Sequence, residues 1–275
     1  MSLKKKLLNI KEYKMKNKIY GYIEPLITEE HYVLGSSKLN QVVLQIDGDW
    51  LPYTPFFEPQ QRQFETYNCT SFNTLNCLET LFKRLGVDGN YSDRFLGIVA
   101  GTKPPGNDPH VVAEAIRKHG LIPEAMLPFS DDLKTVEEYY SFKGADEAEC
   151  RKAGKEWLKK WNFGHEWVFQ GDVPNRAESM LEALKYSPLG VSVNAWKKNG
   201  DLYTKVKGSR DNHWTACIVG YDKDNFWLID DSYLDQEKPL KKLDWNYPFG
   251  FCKRFHVEER PYQPSCFEKL LNLLK

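Results

Sequence analysis

Along residues 63–85, QFETYNCTSFNTLNCLETLFKRL, apolar side chains return at three- and four-residue steps: Phe72, Leu75, Leu78, Phe82 and Leu85. That period predicts a helix with one apolar stripe facing a core. Asn68 or Thr66 stands where an N-cap belongs, and Gly86 where a C-cap glycine belongs. A second helix is predicted over HVVAEAIRKH, with Asp108 as N-cap, Pro109 at the first helical position and Gly120 after the end. Helical patterning recurs at residues 131–140, in the highly charged 145–161, expected to face solvent, and in 175–184, where Asn175 and Glu178 have capping-box spacing. Beyond this the chain reads as strands: Leu189–Trp196, Trp214–Tyr221, Phe226–Ile229 and Phe251–Val257. The turn Asp222–Asn225 makes the second and third of these a hairpin. Helices first and strands later, without regular alternation, predict an α+β fold rather than a doubly wound sheet.

The ends of the chain read differently. Residues 1–18 are rich in lysine, and Val42–Ile46 forms a lone predicted strand before the turn Asp47-Gly48-Asp49. Pro52, Pro55 and Pro59 then suit a segment crossing a surface. Three units follow: an N-terminal extension (1–60), a main domain (61–263) with its helical part to about 165 and its strands after it, and a short amphipathic helix (264–275) packed on the body.

Composition narrows the function. The 275 residues carry 38 basic and 38 acidic side chains, which gives no electrostatic case for nucleic acid or a membrane surface. No apolar run suits a signal peptide or a membrane span, so a soluble cytoplasmic protein is expected. The six cysteines contain no CxxC pair, so neither a disulfide framework nor a metal site is expected, and no cofactor. Oligomeric state stays open.

One cysteine has chemical context. Cys69 lies in the first turn of the first predicted helix, where the positive end of the helix dipole favours thiolate. A cysteine nucleophile needs a base, usually histidine, and a group to orient it. Of six histidines, His213 opens a predicted strand, and the hairpin returns to Asp230, Asp231 and Ser232. In an antiparallel hairpin the start of one strand lies beside the end of the next, so an aspartate there can hold the imidazole. Asp231 is the first choice, with Asp230 available if a bulge shifts the register.

These residues carry a resemblance. Gln63 with Cys69 six residues on, the block Asn212-His213-Trp214 running to Val219-Gly220-Tyr221, and Phe226-Trp227 running to Asp230-Asp231-Ser232-Tyr233 resemble the papain-like cysteine peptidases. The histidine follows the cysteine by 144 residues, a separation typical of that family. Residues 113–129 and 187–196 are similar to two further family segments in the right order, so the match spans about 60–260. In overall style the chain is similar to papain-like proteins of bacteriophages and uncultured microbes, for which a virion-associated location is conceivable.

The resemblance implies a two-lobe fold, a helical lobe and an antiparallel, barrel-like β lobe with the cleft between them. It implies Cys69 as nucleophile, His213 as its partner and general acid–base, and Asp231 as orienter in place of the family's Asn. It implies an oxyanion hole from the Gln63 amide and the Cys69 backbone N–H. Trp214, Ser192 and Asn212 would border the substrate, a polypeptide. Thr70 replaces the aromatic residue that follows the family's nucleophile, Tyr233 replaces a Trp, and the double glycine of the family cleft is not evident. Trp214, where the family has a small residue, is expected to shorten a pocket and favour small or flat side chains. The 62 residues before Gln63 lack the long charged helices of an inhibitory pro-segment, so none is expected. Two other readings compete: an idle papain-like module in a larger assembly, and a cell-wall amidase or transglutaminase-like acyl transferase. The wide Cys–His separation counts against the latter pair.

Overall fold

The computed structural model describes residues 18–28, 42–55, 64–235 and 237–261. A two-residue strand, β1 (Gly21–Tyr22), comes first, and the long helix α1 (Cys69–Arg84) follows. Then α2 (Asp93–Val99), β2 (Gly106–Asn107), α3 (Pro109–His119), α4 (Val136–Tyr139) and α5 (Glu147–Lys160) complete the helical lobe. The sheet lobe holds β3 (Trp161–Gln170), α6 (Arg176–Leu184), β4 (Leu189–Val193), β5 (Lys197–Asn199), β6 (Leu202–Thr204) and β7 (His213–Tyr221). It ends with β8 (Phe226–Asp230), β9 (Leu240–Asp244) and β10 (Phe251–Glu259). Eight strands lie in the order β3-β10-β4-β7-β8-β9-β6-β5, antiparallel throughout except β6 with β9. The architecture is α+β with two lobes.

Helix α1 is more deeply placed than its pattern predicts. All fourteen residues from Cys69 to Phe82 are buried, the polar ones included. The apolar stripe does face a core: Phe82 packs edge-on against Trp161, with ring centroids 4.8 Å apart, and also meets Tyr91 and Trp157. Burial of a side chain this size contributes about 1.5–3 kcal/mol. The polar face is covered because the β7–β8 hairpin lies on it. Asn73 donates to the Trp214 carbonyl at 2.6 Å and Asn76 to Asp230 Oδ2 at 2.7 Å, so the amide N–H groups find partners across the interface.

The helix predicted around 110–119 forms as α3, with the Asp108 carboxylate accepting from the His110 N–H. Other elements depart from their patterns. Among the described residues Val42–Ile46 pairs with no strand: it is held by the Lys185 carbonyl, and Val42, Val43 and Ile46 are exposed. Asn175 adopts a left-handed conformation and makes no side-chain cap, so the capping box is not formed. Helix in 131–140 shrinks to α4, since Pro128 and the 131–134 turn absorb its start. The charged α5 nonetheless buries Cys150, Gly154 and Trp157 against its neighbours. Strand β3 was hidden by the charged run before it and by its own Asn, His and Glu; the antiparallel β10 supplies its partner, including a buried Arg254–Glu166 ion pair. The segment 264–275 lies outside the described residues.

Part of the N-terminal extension belongs to the core. Trp50 is wholly buried, its indole N–H donates to the Leu184 carbonyl at 2.6 Å, and its backbone N–H bonds Ile218. Truncating so large a buried ring costs about 3–5 kcal/mol. Trp50→Ala is therefore expected to lower the unfolding free energy by about that amount in urea titration. A loss below about 1 kcal/mol would make this segment a mere appendage.

Candidate active site

The site is assembled where α1 begins. Cys69 is the first helical residue, and the loop before it is held from several sides. The Tyr233 hydroxyl accepts from the Asn68 N–H at 3.0 Å, lies 2.9 Å from Thr66 Oγ1 and donates to Glu65 Oε1 at 2.6 Å. Asn68 does not cap the helix with its side chain; it donates instead to the Asp93 carbonyl and the Tyr139 hydroxyl. Tyr233, which the sequence marks only as a replacement for Trp, is thus the clamp on the nucleophile loop. Cys69 Sγ accepts a hydrogen bond from the Trp214 backbone N–H at 3.4 Å. Burial pushes the thiol well up from its ordinary range, against the opposing pull of that N–H.

His213 begins β7, one residue from that N–H. Its Nε2 lies 2.8 Å from Asp231 Oδ1, while Nδ1 is buried with no hydrogen-bond partner. The rings of Tyr20, Trp196 and Tyr233 surround it at centroid distances of 5.8–6.0 Å. Asp231 Oδ2 accepts from the Trp196 indole N–H at 2.6 Å and lies 3.3 Å from Lys241 Nζ. Asp231, then, and not Asp230, holds the imidazole. Asp230 faces α1, where Asn76 and Ser232 bind it, even though β7–β8 does contain a bulge near Cys217–Val219. Trp196 and Lys241 are absent from the sequence reading. Nothing local marks Trp196, whereas Lys241 has one signal: in Leu240-Lys241-Lys242-Leu243 the lysine faces inward and Leu240 outward.

The remaining expected residues fall as follows. Asn212 Oδ1 accepts from the Ala195 N–H, and its amide donates to the Lys18 carbonyl. Ser192 Oγ donates to Asp211 and accepts from the Phe251 N–H. The Trp214 ring fits over Gly190, where a Cβ would come within 2.4 Å of it. Gln63 lies outside the described residues. His110, expected in solvent, packs its ring against Trp167 and His165, because α3 lies on β3.

A further feature runs against expectation. Cys69, His213 and Asp231 are each 0% exposed; residues 18–23 lie against the first two, with Tyr20 edge-on to the His213 ring and Tyr22 in the apolar cluster around Cys69, while Trp196 and Lys241 contact Asp231. The Tyr20 N–H donates to the Asn212 carbonyl and the Ile23 N–H to the Asn107 carbonyl, each at 3.0 Å. Strand β1 pairs in parallel with β2, Gly21 opposite Gly106 and Tyr22 opposite Asn107. Tyr22 inserts beside Trp214, the rings stacked at 6.0 Å. Gly21 (φ +112°) passes so close to the nucleophile loop that a Cβ there would lie 2.2 Å from the Tyr67 carbonyl oxygen. Residues 18–23 thus form a short strap against the nucleophile loop and the His213 ring.

No family model and no curated protein matches the sequence. Among solved structures, xylellain, a cysteine protease from Xylella fastidiosa, matches with TM-score 0.61 and 15% identity over 89% of this chain and 96% of that one. Digestive procathepsin L 3 of Tenebrio molitor larval midgut matches with TM-score 0.58 and 17% identity over 88% and 78%. The cysteine protease and lectin-like domains of Cwp84 from Clostridium difficile match with TM-score 0.58 and 17% identity over 93% and 60%. The fold is that of the papain-like cysteine proteases.

Two predictions arise here. Burial raises the Asp230 carboxyl from 3.8 to about 7, so the folded chain binds a proton there that the unfolded chain has released. Stability from this group is present below about pH 4 and lost as pH rises toward 7. Asp230→Asn should flatten that part of the stability profile, measured by urea titration at several pH values. An identical slope in both proteins would contradict it. Separately, Gly21→Val should expel the strap and relieve the burial of Cys69. Alkylation of Cys69 at pH 7 by a haloacetamide is expected to rise at least tenfold, as read by peptide mapping; no change would mean the strap does not gate the thiol.

Proposed function

We propose that the chain is a papain-like thiol peptidase, held latent by its own N-terminal strap. The observation that carries this reading is the single buried line from Cys69, through the Trp214 N–H beside it, to His213 and Asp231. With Nε2 engaged by Asp231, the bare Nδ1 of His213 is the nitrogen left to exchange a proton with Cys69.

Once the strap leaves, water enters and the desolvation that holds the thiol protonated is relieved. Cys69 transfers its proton to His213 and attacks a peptide carbonyl as thiolate. The oxyanion is met by the Cys69 backbone N–H and, following the family likeness, the Gln63 side chain. His213 protonates the leaving amine, which departs and leaves an acyl-thioester; it then takes a proton from water, whose oxygen attacks and releases the acid.

The substrate is an extended polypeptide lying where the strap lies, paired with the Gly106–Asn107 edge. Tyr22 of the strap lies flat against Trp214, which suits a flat side chain at that position of the substrate.

The closed, water-free site also favours a second reading, a module that binds partners and performs no chemistry. A vinyl-sulfone peptide probe separates the two when applied to the full chain carrying Gly21→Val. The peptidase reading expects modification confined to Cys69, lost with His213→Ala, together with peptide hydrolysis. A folded, opened chain that neither labels nor hydrolyses peptides is the idle module.

A further inference from the structure

Asp231 brings a carboxylate into a place closed to bulk solvent. Both it and His213 are wholly buried. A buried carboxylate requires a compensating cation and hydrogen bonds, or it becomes costly by several kcal/mol. His213 cannot be its permanent counter-ion, because the proposed cycle needs the imidazole both with and without its second proton. The titratable groups around the pair are Cys69 and Tyr20 beside His213, Tyr233 backed by Glu65, Asp230 at the preceding position, and Lys241 linked to Asp235. Among the described residues one further cation reaches the carboxylate: Lys241 Nζ, 3.3 Å from Asp231 Oδ2 and 4% exposed.

Its placement inverts the usual strand pattern. β9 turns Lys241 inward and leaves Leu240 36% exposed, although burying the leucine would have been the cheaper choice. The ammonium is fixed by Asp235 Oδ2 at 2.9 Å, by the Lys238 carbonyl at 3.1 Å, and by the Tyr203 ring at 5.7 Å. Asp235 is 37% exposed and therefore screened by water, so the lysine's charge acts mainly on the dry side, toward Asp231.

We propose that Lys241 is a positioning residue that neutralises Asp231, so that the carboxylate orients His213 as an uncharged amide would. The imidazole then gains and loses its second proton without leaving an uncompensated charge behind. Asp231 and Lys241 together do the work of a single neutral hydrogen-bond acceptor. The role assigned here rests on the peptidase reading, but its test does not.

The test is a pH titration of the His213 ring nitrogens by 15N NMR in the full chain, with the resonances assigned by loss in His213→Gln. Lys241→Met leaves His213 as the one charged partner of Asp231 among the described residues, and the ring should keep its charge to a pH about one unit higher, about tenfold in the proton equilibrium. Adding Asp231→Asn to Lys241→Met should return the titration to that of the unmodified chain. Asp235→Asn, a change at a partly exposed position, frees Lys241 for Asp231 and should move the titration the other way, by about twofold to threefold. Should Lys241→Met fail to give a native spectrum, the sign of the Asp235→Asn shift decides alone. A titration unmoved by Lys241→Met in a native spectrum, or unmoved or raised by Asp235→Asn, overturns the proposal. Absence of peptide hydrolysis would remove the peptidase reading and leave these titrations standing.

Discussion

The polar face of α1 is the constraint on which the rest depends. Asn73 and Asn76 reach from it to the Trp214 carbonyl and the Asp230 carboxylate, the two ends of the hairpin that carries His213 and leads into Asp231. Because Cys69 begins the same helix, those bonds fix the thiol and the imidazole in one frame. An apolar helix face would pack as well, but it would not set register: amides that must find partners in a dry interface admit fewer arrangements than methyl groups do. The strap, the clamp by Tyr233 and the Asp231–Lys241 pair are all built on that frame.

Much of this was legible in the chain. The helix carrying Cys69 announced itself by its period, the hairpin by alternation and a turn, and the pairing of His213 with Asp231 by the antiparallel return. What stayed hidden has physical causes. The burial of the polar side of α1 depends on a partner 140 residues away, which no local pattern reports. β3 carries Glu166, whose partner Arg254 lies on β10, and His165, held by Glu114 of α3 and Lys253 of β10, so its composition resembles a surface segment. Tyr20 and Tyr22 sit in a segment with no periodicity, and their place over the site comes from backbone bonds to Asn212 and Asn107. Conversely, Val42–Ile46 has the residues of a strand and, among the described residues, no strand to pair with; β propensity is realised only where an edge is available.

The strap explains why so chemically suited a cysteine is also so well shielded. A thiol surrounded by Tyr22, Phe72, Trp167, Trp214 and Tyr233 is in a medium that disfavours its anion, and the same rings that would grip a substrate exclude water meanwhile. The strap is held by backbone bonds, by the Asn212 amide on the Lys18 carbonyl, by the rings of Tyr20 and Tyr22 against His213 and Trp214, and by a glycine close to Tyr67. Trp50 and its neighbours, by contrast, are fixed in the main core. Within the described part of the N-terminal extension, Trp50 is thus built into the core while residues 18–23 lie against the nucleophile loop.

The central claim is that opening the strap turns Cys69 into an acyl-accepting nucleophile. Rapid acid quench of the full chain carrying Gly21→Val, mixed with a peptide ester and followed by mass mapping, reads this directly. The account predicts an acyl group on Cys69 within the first turnover in the opened chain and none in the unmodified chain. An opened, folded chain with no acyl group on Cys69, or with the acyl group on another residue, would contradict it.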